Sequence, residues 1–411
     1  MTKALWRMGS LRKVVIFGLP FSPNVGDGVI AACLAHAFSQ QMPGVRIVHI
    51  DLAGRTGPGN VVVWRGLALR GLAFLPPGLR RVVVRLALRR VLRRLAPEWA
   101  RKVAGADVVL VGGGQILSDV DLNFPLKLDA AACIAKAAGV PVGIVAAGVA
   151  GNWTPRGTAL FGALAAAELR HVGLRDAGSM ARWTAQMPQA GLPVPVLCRD
   201  PGLLAAACYG LAGPDGRGLP PPDDAPVGVG IADPGELALH ADQGIGDSRA
   251  MLRGYVDLIL ALAARGNRVR LFCNGADADA AFMARVCADP RLEALRASGR
   301  LDMAARPVTG AELARIIAGC EAVVAHRLHA CILAYALGRP VVGLAWDAKL
   351  AGFLESVGLA QCLADLAGGA GAIVARLEEA MAEGIAAEHA EQVRRECRAQ
   401  LAAVLAAFGP G

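Results

Sequence analysis

Short apolar runs alternate along the chain with longer segments of helical periodicity. In the first half the runs are KVVIFGL (13–19), VRIVHIDL (45–52), residues 106–110, VPVGIVAAG and HVGL. In the second half they are PVGVGIAD, RVRLFC, AVVAH and VVGLAW. Strands that alternate with helices predict an α/β fold with doubly wound parallel sheets.

The pattern breaks once, over residues 210–226, where GLAGPDGRGLPPPDDAP is dense in glycine, proline and aspartate. Such a stretch is typical of a linker between domains. A chain of 411 residues is also too long for one ordinary core. We therefore predict a Rossmann-like domain over 1–209, a linker over 210–225, and a second Rossmann-like domain over 226–411 that ends in structural helices.

The stretch 321–349, EAVVAHRLHACILAYALGRPVVGLAWDAK, reads as a strand, a helix and a second strand. Arg327 and His329 stand where the first strand meets the helix, and Lys349 follows the second strand. Ligands of open α/β sheets bind at these strand ends, next to helix N-termini that favour anions. The alternative is that Arg327 pairs with a nearby carboxylate and that His326 and His329 are ordinary turn residues.

A second candidate site follows the first strand, in the turn that contains Asn24, Gly26 and Asp27. Asp27 is a helix-capping residue type, and Gly26 permits close backbone approach. An anion or sugar contact and an empty strand-to-helix turn fit these residues equally well.

Similar strand ends recur in the rest of the first half. Gly113 and Gly114 belong to a triple glycine that would let a ligand or a strand approach, and Asp119 follows them. Arg175 ends another strand, with Ser179 at the start of the next helix. We expect Arg175 to place a second fixed cation at a sheet edge.

The composition narrows the class of protein. The ten cysteines are scattered singly, so neither a disulfide framework nor a zinc site is predicted. The first residues lack the apolar core of a signal peptide, and arginine interrupts every long apolar run. We expect a cytoplasmic protein that holds no metal.

The segment 64–102 carries eleven basic residues against a single acid, so its own charge exceeds the formal net charge of the whole chain, which is +9. In LRRVVVRLALRRVLRRLA the arginines recur at helical spacing, with Val82, Val83, Leu86, Leu92 and Leu95 mainly on another face. A basic amphipathic helix of this kind suits an anionic membrane surface, which would make the protein peripheral at the inner face of the cell membrane. A solvated helix packed on its own sheet is the alternative. Nucleic acid is disfavoured because no aromatic residues interleave with the charge.

Taken in order, these motifs resemble the polysaccharide pyruvyl transferase family. The matching stretches are Asn24-Val25-Gly26-Asp27, Gly112-Gly113-Gly114, Arg175-Asp176 with Ser179, Asp200-Pro201, Arg327-Leu328-His329, and Pro340 through Trp346-Asp347 to Lys349. The resemblance implies two Rossmann-like domains facing a cleft (GT-B-like). It also implies phosphoenolpyruvate as donor and a sugar diol of a polysaccharide or lipid-linked oligosaccharide as acceptor, and it does not explain the segment 64–102.

Ketal formation from phosphoenolpyruvate needs an acid and a base but no redox step, so no nucleotide cofactor is expected. His329 is the candidate acid, because imidazole titrates near neutral pH. Asp27 and Asp119 are the alternatives for the base. Arg327 and Arg175 would hold the donor, and Lys349, Asn24, Gly113, Gly114, Asp119 and Ser179 are further binding candidates. A nucleotide-sugar-dependent glycosyltransferase and an inactive sugar-binding protein remain the other function classes.

Overall fold

The protein is described by a computed structural model over residues 11–59, 76–188, 190–213, 216, 218–238 and 247–409. The strands form two parallel sheets of six. They are β1 Lys13–Gly18, β2 Arg46–Asp51, β3 Val108–Gly112, β4 Val142–Ala147, β5 Leu169–Leu174, β6 Val196–Leu197, β7 Val227–Gly230, β8 Val269–Phe272, β9 Leu301–Met303, β10 Val323–Ala325, β11 Val341–Leu344 and β12 Leu363–Ala364.

Helices follow nearly every strand. They are α1 Gly26–Gln41, α2 Pro77–Val103, α3 Asn123–Ala137, α4 Pro155–Ala166, α5 Ala177–Gln186, α6 Ala205–Cys208, α7 Pro234–Ala238, α8 Ser248–Ala264, α9 Asp277–Cys287, α10 Glu293–Ala297, α11 Gly310–Ala318, α12 Leu328–Ala336, α13 Ala348–Ser356, α14 Ala370–Glu383 and α15 Ala387–Ala406. The predicted α/β class with two doubly wound sheets is confirmed. Within the described ranges, no helix has the length and apolar character that crossing a membrane requires.

The first sheet has the order β2-β1-β3-β4-β5-β6, so the direction of winding reverses between β1 and β3. β3 and β4 are buried along their whole length, as continuous apolar runs predict for parallel strands covered on both faces. The core packed on this sheet includes Phe17, Trp99, Phe161 and Trp183.

The second sheet has the order β12-β11-β10-β7-β8-β9, so its winding reverses between β7 and β10. This is the strand order of dinucleotide-binding domains, which place their ligands at the point of reversal. Tyr255, Phe282 and Leu344 belong to the core packed on this sheet. The reversal point is therefore where a site of the second sheet is expected.

The chain divides into two compact units, each built from segments that are far apart in the sequence. One unit comprises residues 1–21, 30–201 and 397–411, and the other comprises 22–29 and 202–396. Residues 22–29 join the second unit because Val25 N–H donates to the carbonyl of Asn274, at 2.9 Å. The C-terminal residues join the first unit because Phe408 packs on Gly143 and the side chain of Gln400 accepts from Arg199 N–H, at 2.8 Å.

The stretch predicted as a linker folds onto the second unit where it is described. Leu219 N–H donates to Leu211 O at 2.8 Å, and Gly218 approaches the carbonyl of Leu337 so closely that a Cβ would not fit. The guanidinium of Arg339 donates to Leu219 O. The described residues of this stretch are therefore packed against the second unit.

The helical part of the basic segment is α2, whereas residues 64–75 lie outside the described ranges. Leu92 is buried and Leu95 is partly buried against the core, as expected of an apolar face. Val82, Val83 and Leu86 were expected on that same face, but all three are exposed. Only the second half of the helix therefore packs on its own unit.

Candidate functional site

Arg327 and Asp279 form a buried ion pair at the reversal point of the second sheet. Arg327 caps α12 directly after β10, and Asp279 lies in the first turn of α9. The Nε and Nη2 atoms of Arg327 donate to the two carboxylate oxygens of Asp279 at 3.0 and 2.7 Å. Asp279 Oδ1 also accepts from Asp233 N–H at 2.8 Å, just beyond β7. The pair thus ties together the ends of β7 and β10.

This ion pair defines what the guanidinium of Arg327 can still do. Burial opposes its charge, but Asp279 more than offsets that effect and raises the pKa of Arg327. Asp279 accepts from the Nε–Nη2 edge of the guanidinium. Arg327 thus pairs with a nearby carboxylate, as the alternative interpretation of the sequence predicted. An arginine carries five donors, so the Nη1–Nη2 end remains the edge that suits a ligand anion.

His326, next to Arg327, is a structural histidine. Its Nδ1 lies 2.7 Å from the hydroxyl oxygen of Tyr255, which itself accepts from Ala232 N–H at 3.1 Å. Burial, and secondarily the charge of Arg327, lowers the pKa of His326 to about 3. His326 is therefore neutral at physiological pH and shares a hydrogen bond with the tyrosine hydroxyl through its Nδ1.

His329, in the first turn of α12, packs against the turn that contains Asn24, Gly26 and Asp27. The side of Gly26 that would carry a Cβ faces the imidazole, and that Cβ would lie 2.4 Å from Nδ1. Asn24 Oδ1 accepts from Gly26 N–H at 3.3 Å, and its carbonyl accepts from Asp27 N–H at 3.2 Å. The structure thus brings two motifs that are some 300 residues apart in the sequence into direct contact.

The turn is anchored to the end of β8 by the bond from Val25 N–H to the carbonyl of Asn274. The amide side chain of Asn274 is 1% exposed, and neither its oxygen nor its nitrogen has a hydrogen-bond partner among the described residues. Next along the chain, Gly275 O accepts from the Nε of Arg306 at 2.7 Å. A buried amide without partners is a costly arrangement that a bound ligand would relieve.

Lys349 lies at the end of β11, in the first turn of α13. Its Nζ is 2.8 Å from Asp347 Oδ2 and 5.2 Å from the centre of the Trp346 ring. The indole N–H of Trp346 donates to the carbonyl of His326, which links the ends of β10 and β11. Asp347 also caps α13, accepting from Leu350 N–H at 3.0 Å. Lys349 is thus held by its own capping carboxylate.

In the first unit, the triple glycine stands at the reversal point between β1 and β3. A Cβ on Gly112 would collide with the carbonyl of Val145, and Gly113 has a φ of 76°. Gly113 N–H donates to Val145 O at 3.1 Å, and Gly114 O accepts from Gly148 N–H at 2.9 Å. Gly113 N–H is therefore used within the fold, and these glycines bring β3 and β4 together.

Arg175 ends β5 with its side chain 7% exposed. Its Nε lies 3.4 Å from Asp176 Oδ2, a long contact, and its Nη2 lies over Gly148. That Nη2 is buried and donates to no acceptor in the part of the chain that the structure describes. Arg175 is therefore a preformed cation that lacks a full set of acceptors, as an anion-binding residue would be.

Asp119 and Ser179 each accept hydrogen bonds from loops that follow strands of the first sheet. The carboxylate of Asp119 accepts from Leu122 N–H, Thr154 N–H and the Thr154 hydroxyl, at 3.1, 2.9 and 2.5 Å. Ser179 Oγ accepts from Val149 N–H at 3.1 Å. Three bonds from the protein commit Asp119 to the loop, whereas Asp27 lies one residue from Gly26, which contacts His329.

The residues predicted from the sequence therefore fall into two groups. One group belongs to the second unit: Asn24, Asp27, Arg327, His329 and Lys349. Asn24 and Asp27 lie in the turn of Gly26, and Gly26 contacts His329. Arg327 caps the helix α12 that carries His329. The others belong to the first unit: Gly113, Gly114, Asp119, Arg175 and Ser179. Sequence reasoning missed Asp279 and Asn274. The position of Asn274 directly after an apolar run was the signal available for it.

Comparison with models of known protein families shows which family the chain belongs to. The model of the family described as polysaccharide pyruvyl transferase matches residues 24–348. The chain belongs to the polysaccharide pyruvyl transferase family. The match begins at Asn24 and ends one residue before Lys349, so it includes the turn, the triple glycine, Arg175 and the Arg327–His329 pair. No curated protein matches the chain.

Solved structures match the fold of this pyruvyl transferase family member. The complex of S. aureus MnaA with UDP has a TM-score of 0.51 at 12% identity, covering 98% of this chain and 93% of that chain. The UDP-GlcNAc 2-epimerase of Methanocaldococcus jannaschii has a TM-score of 0.51 at 11% identity, covering 93% and 98%. These likenesses confirm the predicted GT-B-like pair of Rossmann-type domains.

Proposed function

We propose that this chain transfers the pyruvyl group of phosphoenolpyruvate to two hydroxyls of a sugar, forming a pyruvate ketal and releasing phosphate. The acceptor would be a diol of a polysaccharide or of a lipid-linked oligosaccharide. The observation that carries the proposal is the placement of His329: a nearly buried imidazole beside Arg327, at a helix N-terminus and against the backbone of Gly26. This arrangement suits proton transfer to a bound anion.

The chemistry assigns a task to each group. His329 would donate a proton to the methylene carbon of the enol, which becomes the methyl group. A sugar hydroxyl would then attack the cationic central carbon and lose its proton, for which Asp27 is the candidate acceptor. A second hydroxyl of the same sugar would displace phosphate by breaking the bond between the central carbon and the bridging oxygen. The proton of this second hydroxyl would leave with the phosphate as hydrogen phosphate, and the proton taken up by Asp27 would return to His329 through solvent.

Binding a trianion needs cations whose donors are already oriented. Asp279 holds the guanidinium of Arg327 in place, and the Nη1–Nη2 end can make two parallel bonds to a carboxylate or phosphate through the hydrogens that face away from Asp279. Lys349 and the N–H groups at the start of α12 would add positive potential in the same unit. The partnerless amide of Asn274 could bond a donor or acceptor oxygen. Arg175 is the corresponding candidate in the first unit.

The test separates donor binding from turnover. Calorimetric titration with phosphoenolpyruvate and with UDP should show binding of the former, and release of phosphate should depend on an added glycoside diol. His329→Gln should keep the donor affinity and lose turnover on the order of a hundred- to ten-thousand-fold. Arg327→Lys should lose donor affinity because a lysine cannot supply the fork.

Two results would overturn the proposal. Binding of UDP without binding of phosphoenolpyruvate would assign the chain to nucleotide-sugar chemistry. Near-normal turnover of His329→Gln would remove this histidine from the role of acid.

A further inference from the structure

Helix α2 has one face that packs on the core of the first unit and an opposite face that is exposed to solvent. Leu88, Leu92, Leu95, Trp99 and Val103 point to the core of the first unit, with Trp99 and Val103 fully buried. At about 100° per residue, these positions occupy one side of the helix. The opposite side faces solvent from Val82 to Arg94.

The solvent side begins with apolar residues. Val82, Val83 and Leu86 are 51%, 38% and 60% exposed, and on the helix surface Leu86 neighbours both valines. A single exposed apolar side chain is ordinary, but three adjacent ones on a helix that has a core to pack against call for a partner.

The same side continues with four exposed arginines, Arg89, Arg90, Arg93 and Arg94. The only acidic residue of α2 is Glu98, and it is already paired with Lys102 at 2.7 Å. We define the basic apolar face as these seven residues: Val82, Val83, Leu86, Arg89, Arg90, Arg93 and Arg94. By helical geometry they share an arc of about 140°.

We propose that the basic apolar face docks on an anionic lipid surface, with α2 lying in the plane of that surface. The arginines would meet anionic headgroups, and the two valines and the leucine would enter the boundary between headgroups and acyl chains. The face is turned away from the core, so docking requires no rearrangement of the first unit.

Other partners fit this face less well. A second copy of the chain would set four arginines against four arginines, which repel one another. A nucleic acid would satisfy the arginines but would leave Val82, Val83 and Leu86 beside a charged backbone. A lipid surface offers both negative charge and an apolar layer at a depth that these side chains reach.

The test uses the full chain and sedimentation with vesicles of phosphatidylcholine, with and without phosphatidylglycerol. The parent should bind only the phosphatidylglycerol vesicles, and more weakly as salt rises. Replacement of all four arginines by glutamine should weaken binding at low salt on the order of a hundred- to a thousandfold, since each contributes about 1 kcal/mol. The triple variant Val82→Ser, Val83→Ser and Leu86→Ser keeps every charge and should weaken binding on the order of tenfold or more.

The matched control removes four exposed arginines elsewhere: Arg46, Arg249, Arg253 and Arg395, each replaced by glutamine. It lowers the net charge equally and should bind nearly as the parent does. Three results would overturn the proposal: no vesicle binding by the parent at low salt, equal losses in the control and in the face variant, or unchanged binding by the triple serine variant. Because all substituted side chains are exposed, unchanged thermal midpoints will confirm that each variant is folded.

Discussion

Gly26 lies against the imidazole of His329 with no room for a side chain, since a Cβ at Gly26 would come within 2.4 Å of Nδ1 and 2.5 Å of Cγ. The backbone of Gly26 therefore limits the positions that the ring can adopt. A proton donor gains from such confinement, because a displacement of about 1 Å in a reacting group can cost on the order of a hundredfold in rate.

Gly26→Ala should therefore lower kcat of phosphate release about a hundredfold, because the new methyl group must push the imidazole aside. It should also cost about 1–3 kcal/mol of unfolding free energy through overpacking. Turnover and chemical denaturation measure the two effects. The matched control is Gly352→Ala, another helical glycine whose Cβ would meet open space. Normal turnover by Gly26→Ala would show that the ring position is not critical.

Asp279→Asn should lose about 3–5 kcal/mol of stability, because it leaves the buried charge of Arg327 without its partner. It should also weaken donor binding at least about tenfold, since Arg327 is no longer oriented. The control is Asp302→Asn, which removes an equally bidentate partner of Arg270, at 2.8 and 2.7 Å, on a half-exposed surface. That change should cost no more than about 1 kcal/mol. If Asp279→Asn and Asp302→Asn lost equal amounts of stability, burial of the Arg327–Asp279 pair would not be the cause of the larger loss.

The protein should lose stability as the pH falls below about 6.5, through His326. In the unfolded chain a histidine binds its proton near pH 6.5, whereas burial holds the folded pKa at about 3. The stability is therefore fully present above pH 6.5 and is lost as the pH falls toward 3, by about 1.4 kcal/mol per pH unit. Denaturant midpoints at pH 7 and pH 5 should differ clearly less for His326→Gln than for the parent. The same pH slope in both proteins would argue against a neutral buried His326.

Arg175→Lys should reduce kcat/KM for phosphoenolpyruvate at least about tenfold, because the buried Nη2 that lacks an acceptor would be lost. Arg170→Lys is the control, since Arg170 is exposed and pairs with Glu168 at 2.5 Å. Steady-state kinetics measures kcat/KM of both variants and of the parent. An unaffected Arg175→Lys would make this arginine a structural residue of the β5 edge.

The sequence predicted the two sheets because buried parallel strands read as continuous apolar runs, and it placed Arg327 and His329 because strand ends follow from that pattern. It did not predict the partner of Arg327. Asp279 lies 48 residues earlier in the chain, two residues after Asp277, and nothing local distinguishes the two carboxylates. Which of them is buried depends on how α9 packs against the end of β10.

The predicted faces of α2 failed for a related reason. At about 100° per residue, Val82 and Leu86 share the side of the four arginines of the basic apolar face, whereas Leu92 and Leu95 lie toward the core. Whether an apolar side chain is buried depends on which side of the helix the sheet covers. Likewise, composition predicted a linker between domains but not that the distant Arg339 donates to the carbonyl of Leu219 within it. Contacts between residues far apart in the chain decide these cases.

The bond from Val25 to Asn274 also sets an order of events during synthesis. Residues 22–29 leave the ribosome long before the rest of their compact unit, which is complete only at residue 396. The first unit in turn requires segments after residue 396, among them Gln400 and Phe408. Neither unit can close until residue 396 has been added, so the nascent protein must keep apolar strand edges exposed until then. Expression at reduced temperature or with added chaperones should therefore raise the soluble yield of the full chain more than that of its isolated fragments.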